Sequence, residues 1–559
     1  MTASPRTAPA TTPATAPTTA PATAPATAHR AKVSVVVIGY DDAAHVADAV
    51  RSALAQGDAV REVIAVDDCS TDGSAALLDT LAAGEPRLRV IHRAVNSGGC
   101  GSPRNDGIDA AGAPYVMFLD SDDVLPPGAV DALLGTAEAH GVQVTAGLCV
   151  RRELPSGREI PWERALYAGP AVLPHPSRRP RLAHDTLCVN KLYRTDFLRE
   201  HGIRFPVGHY PYEDCVFTAR VLAAAPRVAL IPDTVYVWHV RRDAERLSIS
   251  LDRSDISNWR ARTEANREAY EILLNAGEKR LARAVRAKFL DHDLRMYTRE
   301  LELRTAGYRR AWWDHTRAYL SAFDAADLTL NPSAPGRLIA RVLLASPAPR
   351  DLPRLRELAA RPARLLPPYA RASDGTPVWS SDLPQVTLEH FLERPAHLLP
   401  AAVDAELRVR ARGTRLRLRL HELYGRMAEA GPVAVDVVFT RREDGHEGPR
   451  SEARLLADRY GDLWTATTPV ELSALEPGTW DLRLNLRFRD GTGREVTAHA
   501  VGGSGLLRRR AVPDVRHGVR SVLLVQPYRT HAGSLALRTA SGWRGMTEVL
   551  RRRLGRLLH

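Results

Sequence analysis

Four apolar, β-branched runs recur between residues 33 and 120, and a helical pattern separates each from the next. They are VSVVVIGY (33–40), EVIAVDDC (62–69), LRVIHRA (88–94) and YVMFLD (115–120), with amphipathic stretches at about 44–56, 73–83 and 103–112. Strands apolar on both sides cannot lie on a surface, so this alternation demands a mostly parallel sheet covered by helices on both faces. VQVTAGLCV (142–150) adds a further strand; the pattern weakens after Arg152, crosses a Pro- and Arg-rich loop at 155–181, and ends near Ser250. The expected class is therefore α/β, with a doubly wound, mostly parallel sheet.

Around this domain the texture changes. Residues 1–30 are almost entirely Ala, Thr and Pro. Such a stretch cannot bury enough apolar surface to offset its ordering entropy, and it lacks the basic start and apolar run of a signal peptide. We expect a disordered tail at 1–30, the α/β domain at 31–250, a helical linker at 251–372, a β-sandwich at 373–502, a smaller β unit at 503–545 and a basic amphipathic helix at 546–559. The β units rest on a switch to period-two alternation, as in TRLRLRLH and TWDLRLNLRF. In the last segment Trp543, Met546, Val549, Leu550, Leu554, Leu557 and Leu558 share one half of a helical wheel, which fits either packing on the protein or lying in an anionic membrane interface.

Composition narrows the function classes. No stretch approaches the ~18 apolar residues of a membrane span. Five cysteines (69, 100, 149, 188 and 215) never form a CxxC pair, which excludes a zinc ribbon or a disulfide framework and suggests a reducing compartment. Net charge is +12, and only four lysines (32, 191, 279 and 288) occur among 77 basic residues. Arginine richness is what a GC-rich genome produces, and it also suits an anionic partner such as a phosphate-rich polymer or a membrane surface. No nucleic-acid-binding signature is present, so nucleic acid is not expected as a partner.

In an open α/β sheet, ligands bind outside the carboxyl ends of the strands. Here those ends carry Gly39-Tyr40-Asp41, then Asp67-Asp68 followed by Cys69-Ser70-Thr71-Asp72-Gly73, then Asp120-Ser121-Asp122-Asp123. Ser70–Gly73 also suits a helix N-cap. Three carboxylates within four residues repel one another unless a cation binds, and hard oxygen ligands suit Mg²⁺ or Mn²⁺.

Taken together, VSVVVIGYDD, VIAVDDCSTDGS, the Arg-Asn-x-Gly of SPRNDGI, FLDSDD, VNKLYR and YPYEDCVF resemble glycosyltransferase family 2 over about 220 residues. The resemblance implies a GT-A fold, a nucleotide-diphosphate sugar donor, a divalent metal and inversion at the anomeric carbon. It further implies that Asp68 accepts a hydrogen bond from the base, that Ile38 and Tyr40 line the nucleotide pocket, and that Arg104 lies beside the nucleotide with Asn105 fixing its loop. Asp120 would face the ribose and donor sugar, and Asp122, with Asp123 as a second candidate, would ligate the metal. Gly39 and Asp41 depart from the family's Pro-x-Tyr-Asn. Glu213-Asp214 matches the ED motif, with Asp214 as the general base and Glu213 as its orienting partner; a helix-start acid pair is the plainer alternative. Asn190-Lys191 lies in the segment near the acceptor, so Lys191 is a candidate for direct contact. His239, Arg241 and Arg242 are candidates to close over the diphosphate, with His239 also a candidate metal ligand.

A family 2 domain followed by a helical linker and immunoglobulin-like β units resembles the wall teichoic acid glycosyltransferases of Gram-positive bacteria. That resemblance implies UDP-N-acetylhexosamine as donor, a polyol-phosphate polymer of the cell wall as acceptor, and self-association as a trimer through the C-terminal β domains. It also implies a cytoplasmic enzyme, with peripheral contact at the inner face of the membrane as an option. Another capsular, lipid-linked or protein acceptor stays open, as does a catalytically inactive polymer-binding scaffold.

Overall fold

The first strand, β1 (Val33–Gly39), is enclosed along its whole length except for Gly39. It lies between two parallel neighbours, β2 (Val60–Asp67) and β4 (Tyr115–Asp120). This computed structural model describes residues 31–154, 156–241, 252–329, 334–409, 413–501, 506, 510–513, 522–530 and 533–541. The expected tail at 1–30, Arg242 and the expected helix at 546–559 lie outside the described residues.

Helix α1 (Val46–Leu54) covers the sheet with Val46, Ala49, Val50 and Ala53, a single face at helical spacing. The order continues with α2 (Ser74–Gly84), β3 (Leu88–His92), α3 (Gly101–Ala110), α4 (Ala129–His140), β5 (Val144–Leu154), β6 (Arg158–Pro161), β7 (Ala171–Leu173), β8 (Lys191–Arg194), α5 (Thr195–Glu200), α6 (Glu213–Ala223) and β9 (Val228–Arg241). Among the described residues the sheet runs β3-β2-β1-β4-β8-β5-β9-β7, with β6 on β5. β8 is antiparallel to both β4 and β5, whereas β5 and β9 pair in parallel. The mostly parallel α/β sheet expected from the sequence is present.

Two glycines set helix α3 where it must be. A Cβ on Gly107 would sit 2.2 Å from Val36 Cγ1, and one on Gly101 would sit 1.9 Å from the Pro206 carbonyl oxygen. Only bare backbone lets α3 lie this close to β1 and to the 205–206 segment. Asn105 locks the same junction, donating from Nδ2 to Phe205 O and accepting from Phe205 N, both at 2.9 Å. The helix therefore presents Arg104 to the carboxyl edge of the sheet.

The helical segment, α7 (Ile256–Asn275), α8 (Lys279–Lys288), α9 (Leu294–Leu301), α10 (Ala306–Leu320), α11 (Ala325–Thr329), α12 (Pro335–Ala345) and α13 (Leu352–Ala359), divides between two cores. Ala269, Leu273, Leu281 and Val285 belong to the core of the parallel sheet. Trp259, Phe289, Trp312, Trp313 and Leu338 instead share one core with Trp379, Leu416 and Trp480 of the β region. A linker was expected here; the segment is a packed layer joined to both neighbours.

The C-terminal region contains two mainly antiparallel sheets. Thr414–His421 alternates buried and outward positions, as its TRLRLRLH pattern requires. The separate unit expected at 503–545 is not seen as such. Its strand Leu535–Ser541 pairs with both Gly478–Asp481 and Leu523–Arg529, so these strands continue the sheet of Gly478–Phe488.

Candidate active site

Arg104 ties the end of β4 to Glu213, a residue 109 positions further along the chain than itself. Nη2 donates to Asp120 Oδ1 at 2.6 Å, Nη1 pairs with Glu213, and the guanidinium sits 5.3 Å from the centre of the Phe205 ring. The residue is only 3% exposed. Its two carboxylate partners hold its pKa up against burial, and the fork fixes the end of β4 against the start of α6. Arg104 is thus a strut between acids, one of which, Asp120, is itself expected to face the ribose and donor sugar.

At the end of β4 the four residues diverge. Asp120 takes the Arg104 pair and stays one-third exposed. Ser121 folds back, donating from Oγ to Asp42 Oδ2 at 2.7 Å. The room for this turn comes from Gly39, where a Cβ would approach Ser121 Oγ to 3.2 Å. Asp122 faces outward with a side chain 44% exposed, and Arg241 Nη1 lies 3.7 Å from its Oδ2. Burial first, then the charges of Asp120 and Asp42, push the Asp122 pKa up to about 6.

Asp123 points the other way. It is 3% exposed and accepts from Tyr236 Oη and from the His239 backbone N, both at 2.7 Å. Burial raises its pKa well above the usual carboxylate range. The expectation that Asp123 shares a metal is not met: this carboxylate anchors β9 beneath the site, because β9 brings Tyr236 and His239 directly under it.

The same anchor places His239. Its Nδ1 lies 3.1 Å from the Asp122 carbonyl oxygen, which can only accept, so Nδ1 carries the proton and Nε2 keeps a lone pair. Burial lowers the His239 pKa, favouring the neutral ring. Arg241 donates from Nη1 to the same carbonyl at 3.0 Å. Among the described residues no three His, Cys, Asp or Glu side chains converge to hold an ion by themselves. The donors nearest to fitting a hard divalent cation are Asp122, under repulsion from Asp120 and Asp42, and the free Nε2 of His239. Asp42, which also pairs with His45, closes the VSVVVIGYDD motif but was not singled out as a site residue.

At the β2 end, Asp68 is already occupied. It accepts from Ser97 Oγ at 2.8 Å, Ser97 N at 3.0 Å and Asn96 Nδ2 at 3.2 Å, and pairs with Arg93 Nε at 2.9 Å. The neighbouring Asp67 is equally buried, yet its Oδ1 has no partner among the described residues. Ile38 is enclosed in the core at 5% exposure, while Tyr40 stands 39% exposed at the rim.

Helix α6 opens with Glu213-Asp214, and the residue before it is strained. Tyr212 has φ +68°, rare for a bulky side chain. Helix α7 pins it: Asn258 Oδ1 accepts from Tyr212 Oη at 2.7 Å, and Arg262 covers its ring at 3.9 Å. Glu213 is taken up by Arg104, whereas among the described residues Asp214 accepts only its neighbour's backbone N, at 2.8 Å. Burial raises both carboxyl pKa values; Arg104, Lys288 and Arg262 pull Asp214 back down. Lys288 and Arg262 share Asp293, at 3.5 and 2.9 Å. Sequence reasoning missed these two cations, although the scarcity of lysine was a signal for Lys288.

Lys191 is drawn away from the ligand side. Its ammonium reaches Asp185 Oδ2 at 2.8 Å, Asn190 Oδ1 at 2.9 Å and the Leu187 carbonyl. Asp185, fully buried, also accepts from Trp162 Nε1 at 3.0 Å and from Tyr167. The expected contact with substrate is replaced by a structural one: every proton of the ammonium is used within the fold.

Residues 34–202 match the family model for glycosyl transferase family 2, which bears out the resemblance carried by the motifs. A poly(ribitol-phosphate) beta-glucosyltransferase of Bacillus spizizenii is 31% identical over 221 residues, covering 39% of this chain and 34% of that protein. The poly(ribitol-phosphate) beta-N-acetylglucosaminyltransferase TarS of Staphylococcus aureus is 30% identical over 220 residues, covering 39% and 37%. The chain thus spans about a third of the length of these curated relatives. The crystal structure of S. aureus TarS aligns over 91% of this chain and 85% of its own at 19% identity, with a TM-score of 0.49. TarS 1-349 in complex with UDP-GlcNAc aligns over 62% and 96% at 22% identity, with a TM-score of 0.48.

Proposed function

We propose that this protein transfers a sugar, N-acetylhexosamine in particular, from a UDP-sugar to a hydroxyl of a polyol-phosphate cell-wall polymer, with inversion at the anomeric carbon. The observation that carries the reading is the division of labour around Arg104. One guanidinium engages both Asp120 and Glu213, leaving Asp122 on one side and Asp214 on the other as carboxylates without an ion pair shorter than 3.7 Å among the described residues. A single displacement needs this pair: one acid on the diphosphate side and one base on the acceptor side.

Asp214 Oδ1 is fixed by the Cys215 backbone N, which leaves Oδ2 to receive the acceptor's hydroxyl proton as its oxygen bonds to C1 and the bond from C1 to the diphosphate oxygen breaks. Glu213, held by Arg104, orients the start of α6. Magnesium or manganese, bound by Asp122 and His239 Nε2, would supply charge neutralisation to the departing diphosphate. Arg241, already fixed by the Asp122 carbonyl, adds a positive charge beside the same group.

For the nucleobase, the unpartnered Oδ1 of Asp67 favours Asp67 as acceptor of the imide N–H, with Asp68 holding the 93–97 loop through Arg93, Asn96 and Ser97. A buried acceptor without a donor is costly unless a ligand supplies one. The C-terminal sheets serve self-association, for which a trimer is the reading, and the protein works on the cytoplasmic side. No helix among the described residues is long and apolar enough to cross a membrane.

The test is transfer and slow donor hydrolysis with UDP-N-acetylglucosamine and manganese, followed by NMR of the product anomer. Asp214→Asn should keep donor binding and lose transfer by about 10²–10⁴-fold, the usual worth of a general base. Transfer within a few-fold of the parent would place the base elsewhere, and hydrolysis of no nucleotide sugar would leave only the scaffold reading.

A further inference from the structure

Many arginines in the described part of the chain are matched to a carboxylate, but five that the fold brings to one place are not. Arg295, Arg299, Arg361, Arg394 and Arg494 make no ion pair among the described residues, although they lie up to 199 positions apart in the sequence. They gather where the helical layer meets the C-terminal sheets. Arg295 and Arg299 share the outer face of α9, whose inner face is Leu294, Tyr297, Thr298 and Leu301. Arg295 donates to Ala359 O at 3.3 Å and to Ala360 O, which brings it against Arg361, the next residue. Arg494 donates from Nη1 to His397 O at 2.9 Å, which ties it to the turn that follows Arg394. Arg394 itself is fixed from behind, its carbonyl accepting from Arg426 at 3.4 Å and its guanidinium lying 5.5 Å from the centre of the Phe391 ring.

Two of the five are built into the protein, and three are left for a ligand. Arg494 is only 8% exposed, and its Nε has no partner. Arg299, Arg361 and Arg394 donate no side-chain hydrogen bond within the described residues, and Arg361 is exposed. Nearby acids are taken: Asp291 pairs with Arg337 at 3.1 Å, and Glu300 pairs with Arg253 and with Arg304 at 2.6 and 2.9 Å. Burial and the neighbouring guanidinium groups push the Arg295 and Arg494 pKa values down to about 10. Both stay charged at neutral pH, so the repulsion of Arg295 by Arg299, Arg361 and Arg394, and of Arg494 by Arg394, persists, with Asp291, already paired to Arg337, offsetting only part of it. A fold gains nothing from burying like charges against one another, and planar guanidinium forks match phosphate oxygens.

We propose that Arg295, Arg299, Arg361, Arg394 and Arg494 form a binding site for successive phosphodiester groups of a linear polyanion, outside the sugar-transfer site. Such a site would hold a long acceptor while its reacting unit is replaced at Asp214. The identity of the polymer rests on the transfer reading above; the site itself rests on the arginines alone.

The experiment uses the full chain and three probes: an oligomer of eight ribitol 5-phosphate units, inorganic phosphate, and phosphatidylglycerol vesicles. The paired change Arg299→Gln/Arg361→Gln removes two outer charges that hold no other residue, so folding should be kept. We expect it to weaken oligomer binding by about tenfold or more and to reduce the dependence of log affinity on log salt by about 0.7 for each phosphate that is no longer neutralised. Binding of UDP-N-acetylglucosamine should stay within twofold, which separates this outcome from a failure of the transfer reading. Should the pair fail to fold, Arg361→Glu alone, at an exposed position, gives the same readout. Unchanged oligomer affinity overturns the proposal. So does inorganic phosphate binding as tightly as the oligomer, which would mark an ion site, and so does a defect confined to vesicles, which would mark a lipid surface.

Discussion

Arg104 donates to Asp120 across 2.6 Å, from a helix to the end of the neighbouring strand, in a position where almost no solvent reaches the guanidinium. The contact makes one rigid body of β4, α3 and, through Glu213, α6. Removing the cation would leave two acids facing each other in a desolvated corner.

Arg104→Gln should therefore cost about 3–5 kcal/mol of stability, the usual penalty for breaking a buried pair from one side. Arg104→Lys should recover only part of this, since one ammonium cannot reach both acids in the geometry of a fork. Urea unfolding of the three proteins checks it. A loss below about 1 kcal/mol for the glutamine variant would show that the strut is not needed.

The acid cluster gives a pH signature. The Asp122 pKa is raised to about 6 by burial, Asp120 and Asp42. A cation needs the ionised form, so manganese-dependent donor affinity should be full above about pH 7 and fall as pH drops through 6. Asp42→Asn removes one repelling charge and keeps an acceptor for Ser121, so it should move that fall to lower pH. Titration calorimetry of UDP with manganese between pH 5 and 8 measures both, and a shift toward higher pH contradicts the assignment.

Much of this was legible from the chain, and the reason is chemical. Strands that end in acids declare themselves, and β1, β2 and β4 with Asp120 and Asp122 fall where period and composition put them. What could not be read is direction. Asp122 and Asp123 are adjacent and identical, yet one faces solvent and the other is held under β9 by Tyr236, a residue 113 positions away that no motif marked. Lys191 was singled out for its place in the segment near the acceptor, but its partner Asp185 is an unremarked acid in a loop. Likewise the two cores of the helical segment depend on tertiary packing that an amphipathic pattern does not specify.

Lys191→Met tests the structural role directly. Asp185 would keep only neutral donors in Trp162, Tyr167 and Asn190, and the loss should again be about 3–5 kcal/mol. Donor affinity of the folded fraction should stay within twofold. A stable variant with weakened donor or acceptor binding would return Lys191 to the site.

Lys288 offers a separate handle on the base. Together with Arg104 and Arg262 it draws the Asp214 pKa down against burial. Lys288→Met removes one such charge, so the Asp214 pKa should rise and the acid limb of kcat should move to higher pH. Turnover should fall more at pH 6 than at pH 8, while Asp293 keeps Arg262 and His292 as partners. A uniform fall across pH would mean that the lysine acts only through packing.

The shared core makes a prediction about where the chain can be divided. The acids proposed to act in transfer all precede residue 250, so a cut at Ala372 leaves each of them in place. It does not leave the core in place. Trp259, Trp312, Trp313 and Leu338 pack in one cluster with Trp379, Val403, Leu416 and Trp480, and fully burying each large apolar side chain contributes about 1.5–3 kcal/mol. Exposing several such side chains outweighs the net stability of most domains, about 5–15 kcal/mol. Trp259 opens α7, the helix that holds Tyr212 through Asn258 and Arg262, so loosening that core should also release the strained residue beside Glu213. A chain ending at Ala372 should therefore bind an apolar dye, lose its cooperative thermal transition and transfer sugar poorly, with donor binding less affected than turnover. Light scattering on the same pair of proteins reports whether the C-terminal sheets carry a trimer. A shortened chain that melts cooperatively and turns over like the parent would show that the helical layer folds without the sheets.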